Sequence, residues 1–250
     1  MKNNILLKII NLNKNYHNNK KEISAIKNIT IDVYENEILA IVGPSGCGKS
    51  TFLSILAGLE KQSSGEIVSN KKYEIGYMLQ TDSLFPWLTI FDNTLIGLDI
   101  KKKKNKHNIN KVINLLKKYG LYEFIDQYPN NLSGGMRQRV ALIRTLATNP
   151  DLLLLDEPYS ALDYQTRLAL SNDMYKIIKN EKKTAILITH DIAEAISIAD
   201  RVIVLSKRPC TVKKIYKIEL KNETNPIENR KDPEFNIFYE KIWRDLDVHI

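Results

Sequence analysis

Cysteine is almost missing from this chain: two in 250 residues, at positions 47 and 210. The first lies inside a glycine-crowded loop and leaves only the second as a partner, which excludes a secreted disulfide framework. Long apolar runs are missing too, and none approaches the ~20 residues of a membrane-spanning helix. The opening MKNNILLKIINLNKNY lacks the apolar centre and cleavage site of a signal peptide, so a soluble, intracellular protein is expected. No internal repeat is visible.

What is present fits one large domain or a domain with a subdomain: 250 residues, of which 43% are hydrophobic, can fill a core without disulfides or a structural metal. The net charge is +8 and the isoelectric point is near 9.2. Much of the excess sits in KKKKNKHNINK, Lys101 to Lys111, which has no interleaved aromatics. The run reads first as a solvated face, then as a surface drawn to anionic lipid headgroups, and last as a nucleic-acid contact.

IVGPSGCGKSTFL, Ile41 to Leu53, places three glycines, a proline and a lysine between apolar runs. Gly43, Gly48, Lys49 and Ser50 match G-x-x-x-x-G-K-[ST], the pattern of a loop that cradles nucleotide phosphates. Its context agrees. Glu37 to Val42 reads as a buried strand and Lys49 to Gly58 as a helix, so the loop opens on a helix N-terminus whose dipole favours anions. N–H groups from about Gly46 to Thr51 would face phosphate oxygens. Lys49 would reach the β/γ-phosphates, and the Ser50 hydroxyl would ligate Mg²⁺. The plain alternative is a glycine turn with no ligand.

Along the chain, Ile23 to Tyr34 alternates like a half-buried strand, and Asn36 can supply a left-handed turn into the next one. Short strands are predicted near Glu66–Val68 and Ile75–Leu79. Thr89 to about Tyr128 turns helical, with Val112, Ile113, Leu115, Leu116 and Tyr119 at helix spacing. PDLLLLDEP and TAILITH are continuous apolar runs, each followed by a helix, Tyr164–Lys179 and Ile192–Ala199. Buried strands alternating with helices predict an α/β domain with a mostly parallel sheet. Gly43, Asp156 and His190 then fall at carboxyl ends of strands, where such sheets bind ligands. Strands RVIVLS and TVKKIYKIEL and a last helix from Pro233 to Leu246 complete the reading.

Asp156 closes its strand where a carboxylate holds Mg²⁺ through water. Adjacent Glu157 should point elsewhere, since strand residues alternate faces, and can act as base toward the attacking water. A Ser-Gly-Gly turn at Ser133, Gly134 and Gly135 starts a helix, either as a simple cap or as a second anion-binding terminus.

These features, in this order, resemble the ATP-binding subunits of ABC transporters over nearly the whole chain: the phosphate loop, Gln80 in GYMLQ, LSGGM at Leu132–Met136, LLLLDE at Leu152–Glu157, SALD at Ser160–Asp163, and His190. The resemblance implies a P-loop NTPase core with a mostly parallel sheet, an antiparallel β subdomain and an inserted helical subdomain. It implies ATP hydrolysis with Mg²⁺. By it, ATP would lie on Tyr16 and on Gly43, Pro44, Ser45, Gly46, Cys47, Gly48, Lys49, Ser50 and Thr51. Gln80 and Asp156 would join Ser50 near the metal, with Glu157, His190 and Lys49 catalytic. Ser133, Gly134 and Gly135 would bind ATP held by an opposite subunit, and Asp163 would couple the two sites. The implied divisions are about 1–88 and 148–220 for the nucleotide-binding core, 89–147 for the helical subdomain and 221–250 for a tail with a helix.

Three positions depart from the family pattern: Met136 where many relatives have glutamine, Asn36 in place of a glycine, and the Lys101 run in a variable stretch. LQTDSLFPWLTIFDNTLIGL, the SGGM detail and the tail KDPEFNIFYEKIW look most like subunits that power uptake of nitrate, sulfonates, taurine and related solutes. Implied partners are a second copy or a homologous ATPase subunit, an integral membrane permease and, indirectly, a solute-binding protein, with this chain peripheral on the cytoplasmic side of the membrane. An exporter or lipid-handling ATPase, or a soluble ABC ATPase acting on nucleic acid, stays open as an alternative.

Overall fold

The structure is a computed structural model that describes residues 4–18, 21–159, 163–220 and 225–246. Its centre is a six-stranded sheet in the order β5 (Ile75–Met78), β6 (Leu152–Asp156), β7 (Thr184–Ile188), β3 (Ile38–Val42), β8 (Arg201–Leu205) and β9 (Val212–Lys217). All neighbouring pairs are parallel except β8 with β9. The predicted α/β class with a mostly parallel sheet is the class found.

Side-chain alternation divides the core in two. Ile38, Ala40 and Val42 of β3, with Leu153 and Leu155 of β6 and Ala185 and Leu187 of β7, face a layer of helices. Leu39, Ile41, Leu152, Leu154, Ile186 and Ile188 face the other way, onto α1 (Lys49–Leu56) and an antiparallel sheet. Because both faces are covered, β3, β6 and β7 are buried at every position, and their sequences read as unbroken apolar runs.

The second sheet has the order β2 (Lys21–Tyr34), β1 (Ile5–Asn18) and β4 (Ser64–Val68), all antiparallel. The sequence reading anticipated β2 and β4 but not β1. The β1 pairing shifts register at several points, and Asn11 within it has φ of 49°, so no clean period-2 pattern survives. Asn36 makes the expected left-handed turn at φ 63°, and its N–H donates to the Thr184 hydroxyl at 2.9 Å.

Between β5 and β6 lie α2 (Ile90–Ile100), α3 (Lys106–Lys118) and α4 (Gly134–Ala147). The single predicted helical stretch is thus broken at Lys101–Asn105, and 3₁₀ turns follow α3 at Tyr122–Phe124 and Pro129–Asn131. Lys101 and Lys103 pair with Glu74 at 2.6 Å each, and Lys104 with Asp99 at 3.0 Å. The basic run is therefore partly a set of surface ion pairs. Helices α5 (Tyr164–Asn180), α6 (Ile192–Ile198), α7 (Pro226–Asn229) and α8 (Pro233–Asp245) complete the described chain, α7 being unanticipated.

Candidate functional site

Strand β3 ends in the loop of residues 43–48, which turns into α1. Gly48 stands at φ 132°, and a Cβ there would come within 3.1 Å of the Ala25 carbonyl, so only glycine fits. Lys49 is buried, with 6% of its surface exposed. Its Nζ donates to the Gly43 and Pro44 carbonyls at 2.8 and 3.0 Å, which draws the ammonium back over the loop that α1 opens. Arg208, from the turn between β8 and β9, donates to the Gly46 carbonyl at 2.7 Å. Cys47 points away from the loop opening into the apolar layer beneath, so any part it plays in binding a phosphate falls to its backbone N–H. Neither the Arg208 clasp nor the direction of Cys47 had a sequence signal, because both depend on the return of a distant turn.

At the end of β6, the Asp156 carboxylate accepts from Ser50 Oγ at 3.3 Å and from the Tyr77 hydroxyl at 3.4 Å. Burial raises its pKa, while the Ser50 hydrogen bond acts in the opposite sense. Glu157 leaves the strand, though not by the alternation expected. Its backbone takes the left-handed region at φ 43°, an uncommon conformation for a residue with a side chain, found where a site over-determines the backbone. That turn brings Glu157 Oε2 to 3.0 Å from Nδ1 of His190, at the end of neighbouring β7. The structure thus brings Lys49, Ser50, Asp156, Glu157 and His190 to the carboxyl ends of three adjacent strands.

Below His190 lies a buried network without a sequence signal. The Thr189 hydroxyl bonds to Glu194 of α6, whose other carboxyl oxygen has no partner among the described residues. Burial raises the Glu194 pKa to about 7. Asp191 caps α6, accepting from the Glu194 N–H at 3.0 Å, and pairs with Arg167 at 3.5 Å.

The remaining candidates stand on other elements. The Tyr16 hydroxyl reaches Glu60 at 2.8 Å and Thr51 Oγ1 at 3.4 Å, which sets an exposed ring beside the start of α1. Gln80 is exposed in the loop after β5. That loop is clamped by α4, where Arg137 Nε meets Asp82 at 3.0 Å and Arg144 donates to the Asp82 and Ser83 carbonyls at 2.7 Å each. Ser133 caps α4, accepting from the Met136 N–H at 3.3 Å. A Cβ added to Gly135 would meet Thr166 and Leu170 at 3.4 Å, while Ser133 is exposed. Asp163 caps α5 through the Thr166 N–H at 3.0 Å. Ser160, Ala161 and Leu162 of the SALD stretch lie outside the described residues.

The donor set suits a magnesium nucleotide. A helix N-terminus, a buried lysine and a glycine loop suit phosphate oxygens. One hydroxyl and one carboxylate are hard oxygen donors, and Mg²⁺ commonly takes one or two such ligands while phosphates and water supply the rest. Among the described residues no group of three or more His, Cys, Asp or Glu forms a metal cage of its own.

Comparison with known proteins agrees with this chemistry. The family model described as ABC transporter matches residues 26–160. The chain is 43% identical over 239 residues to the uncharacterized ABC transporter ATP-binding protein YtlC of Bacillus subtilis, covering 93% of this chain and 92% of that one. It is 36% identical over 247 residues to the nitrate import ATP-binding protein NrtD of a Synechocystis species, covering 94% and 93%. Among solved structures, the dimeric ATP-binding cassette MJ0796 in a post-hydrolysis state bound to ADP and Pi matches with a TM-score of 0.73 at 32% identity, covering 86% of this chain and 99% of that one.

Proposed function

This chain belongs to the ABC transporter family, and from that premise we propose that it is the ATP-hydrolysing subunit of an importer for a small solute of the nitrate, sulfonate or taurine kind. It is an ATPase of the cassette type, working with ATP and Mg²⁺. The observation that carries the assignment of roles is the contact of Glu157 with His190 at 3.0 Å, beside a phosphate loop and a Ser50–Asp156 pair.

In this reading Lys49 exchanges its two carbonyl partners for phosphate oxygens, and Ser50, Asp156 and Gln80 hold the metal. Bound ATP supplies the phosphoryl group. Glu157 takes the proton of the attacking water, and His190 fixes the carboxylate and orients the group being attacked. Tyr16 offers its ring to the base. Ser133, Gly134 and Gly135 reach the nucleotide of a second copy or a homologous ATPase subunit, so that ATP draws two chains together and hydrolysis releases them. Asp163, at the head of α5, lies between the sites. The loop from Gln80 to Thr89 links nucleotide to transport, because Arg137 and Arg144 tie it to the helix that Ser133 starts. Residues 89–147 then move as the helical subdomain against a core of 1–88 and 148–220.

Import is supported by the NrtD relative, and attachment to a partner by Trp87, which is 70% exposed and touches Phe85 with ring centroids 5.3 Å apart. The partner is an integral membrane permease, with a solute-binding protein acting on its far side. No helix among the described residues is long and apolar enough to cross a membrane, which suits a peripheral place on the cytoplasmic face.

Two measurements test the proposal. Glu157→Gln should cut steady-state ATP hydrolysis by at least about 10²-fold while ATP binding survives, because an amide keeps the shape without accepting the proton. In vesicles carrying the cognate permease, ATP on the side of this chain should drive solute inward toward it; movement in the opposite direction would identify an exporter.

A further inference from the structure

The chain has only two cysteines, and the fold brings both side chains beneath the phosphate loop, in one apolar layer. Cys47 lies in the phosphate loop between Gly46 and Gly48, and Cys210 ends the turn between β8 and β9. They are 2% and 0% exposed, and both are free thiols. A Cβ placed on Gly48 would lie 3.6 Å from Cys210 Sγ, so the loop backbone passes directly over the second thiol. The roles proposed above use neither sulfur.

From this placement we propose that Cys47 and Cys210 form a reversible oxidation site, at which hydrogen peroxide closes an intramolecular disulfide that lowers ATP turnover. The two partners are unequal. Cys210 is held by its backbone, with its N–H on the Ala25 carbonyl at 2.9 Å and its C=O receiving the Lys27 N–H at 3.0 Å. Cys47 is flanked by glycines at φ 68° and 132°. The hydrogen bond from Cys210 and the charge of Lys49 hold the Cys47 thiol down to about 6, while the same hydrogen bond pushes the Cys210 thiol up. Cys47 is therefore the thiolate that attacks, and Cys210 the thiol that resolves.

The chemistry balances. Cys47 thiolate attacks one oxygen of the peroxide, becomes a sulfenic acid and releases hydroxide, which takes up the proton that Cys47 had lost. Cys210 sulfur then attacks the Cys47 sulfur, the hydroxyl leaves with the Cys210 proton as water, and the disulfide forms. Two thiols are oxidised and one peroxide is reduced to two waters. Because Cys210 is fixed, it is the loop that moves, and closing two separate sulfurs to a covalent bond of about 2 Å draws Cys47 across by on the order of 1 Å. Misplacement on that scale in a phosphate cradle costs up to ~10²-fold in rate.

Bond formation rests on the placement alone, and only the loss of turnover rests on the roles proposed above, so the two are read separately. Whole protein treated with hydrogen peroxide should lose both titratable thiols and about 2 Da of mass. It should still run as a monomer without reductant, lose at least about tenfold in ATP hydrolysis, and recover on reduction. Cys210→Ala removes the resolving thiol and the proton donor, and should keep its turnover at the same dose; Cys210→Ser serves in its place if alanine lowers the melting temperature. Thiols that persist in the wild type, a bond between chains, or equal inactivation of the Cys210 variant would overturn the site. A bond that forms with turnover unchanged would overturn the switch and leave the ATPase reading intact.

Discussion

Glu194 illustrates how a single buried group sets a pH dependence. With 3% of its surface exposed, its carboxyl is held neutral by burial, with its pKa raised from 4.5 to about 7. Asp191 pushes in the same direction, while Thr189, Arg167 and Arg230 oppose it. Between pH 4.5 and about 7 the folded chain keeps a proton that the unfolded chain has released, so stability falls as pH rises through that window. Glu194→Gln keeps an acceptor for the Thr189 hydroxyl and removes the titration. At pH 8 the variant should therefore be the more stable, by at most about 3 kcal/mol, with the difference fading below pH 5. Thermal melts at a series of pH values measure this; parallel curves for the two proteins would show that Glu194 titrates normally. The group lies four residues from His190, and its burial was illegible in the sequence because a Glu on a short helix gives no sign of which way it faces.

At the scale of elements, the loop between β5 and α2 is held by one side chain. Asn93 of α2 is fully buried, receives the Phe85 N–H at 2.8 Å, and donates to the Phe85, Leu88 and Thr89 carbonyls at 2.9 to 3.1 Å. It thereby shapes the turn that leaves Trp87 in solvent. Asn93→Leu strands those backbone groups and should cost about 2–4 kcal/mol together with weaker attachment to the permease. Trp87→Ala should weaken attachment to permease vesicles and leave melting unchanged, since the residue is 70% exposed; a large drop in melting would make it a structural residue.

The same contrast explains what could be read in advance. Central strands β3, β6 and β7 were legible because burial on both faces makes them uniformly apolar, and the loop at residues 43–50 because glycine and lysine spacing is local. Strand β1 was hidden by its bulges, and α7 by its length of four residues. Contacts such as Glu157 with His190, Arg208 with Gly46, and Cys47 with Cys210 depend on which strands become neighbours. Sequence order does not reveal that β3 lies between β7 and β8.

For the molecule as a whole, Ser133 can serve its own helix or a second copy. Within one chain its hydroxyl already caps α4, so a plain deletion would mix loss of the cap, worth about 1 kcal/mol, with loss of any contact in trans. Ser133→Asp separates the two. Aspartate caps as well as serine does, and its charge is favourable at a helix N-terminus, so the isolated chain should melt no lower than the parent. In a composite site, however, that carboxylate would meet phosphate oxygens held by the loop of the other subunit, and two like charges at close range in a water-poor interface repel strongly. In a Glu157→Gln background, where ATP is held without turnover, sedimentation should show ATP with Mg²⁺ moving the 28.8 kDa chain to twice its mass. The additional Ser133→Asp change should leave it at the monomer mass with ATP still bound. Equal dimer formation by both proteins would mean that Ser133 is a cap alone, and that any pairing of two chains closes over other residues.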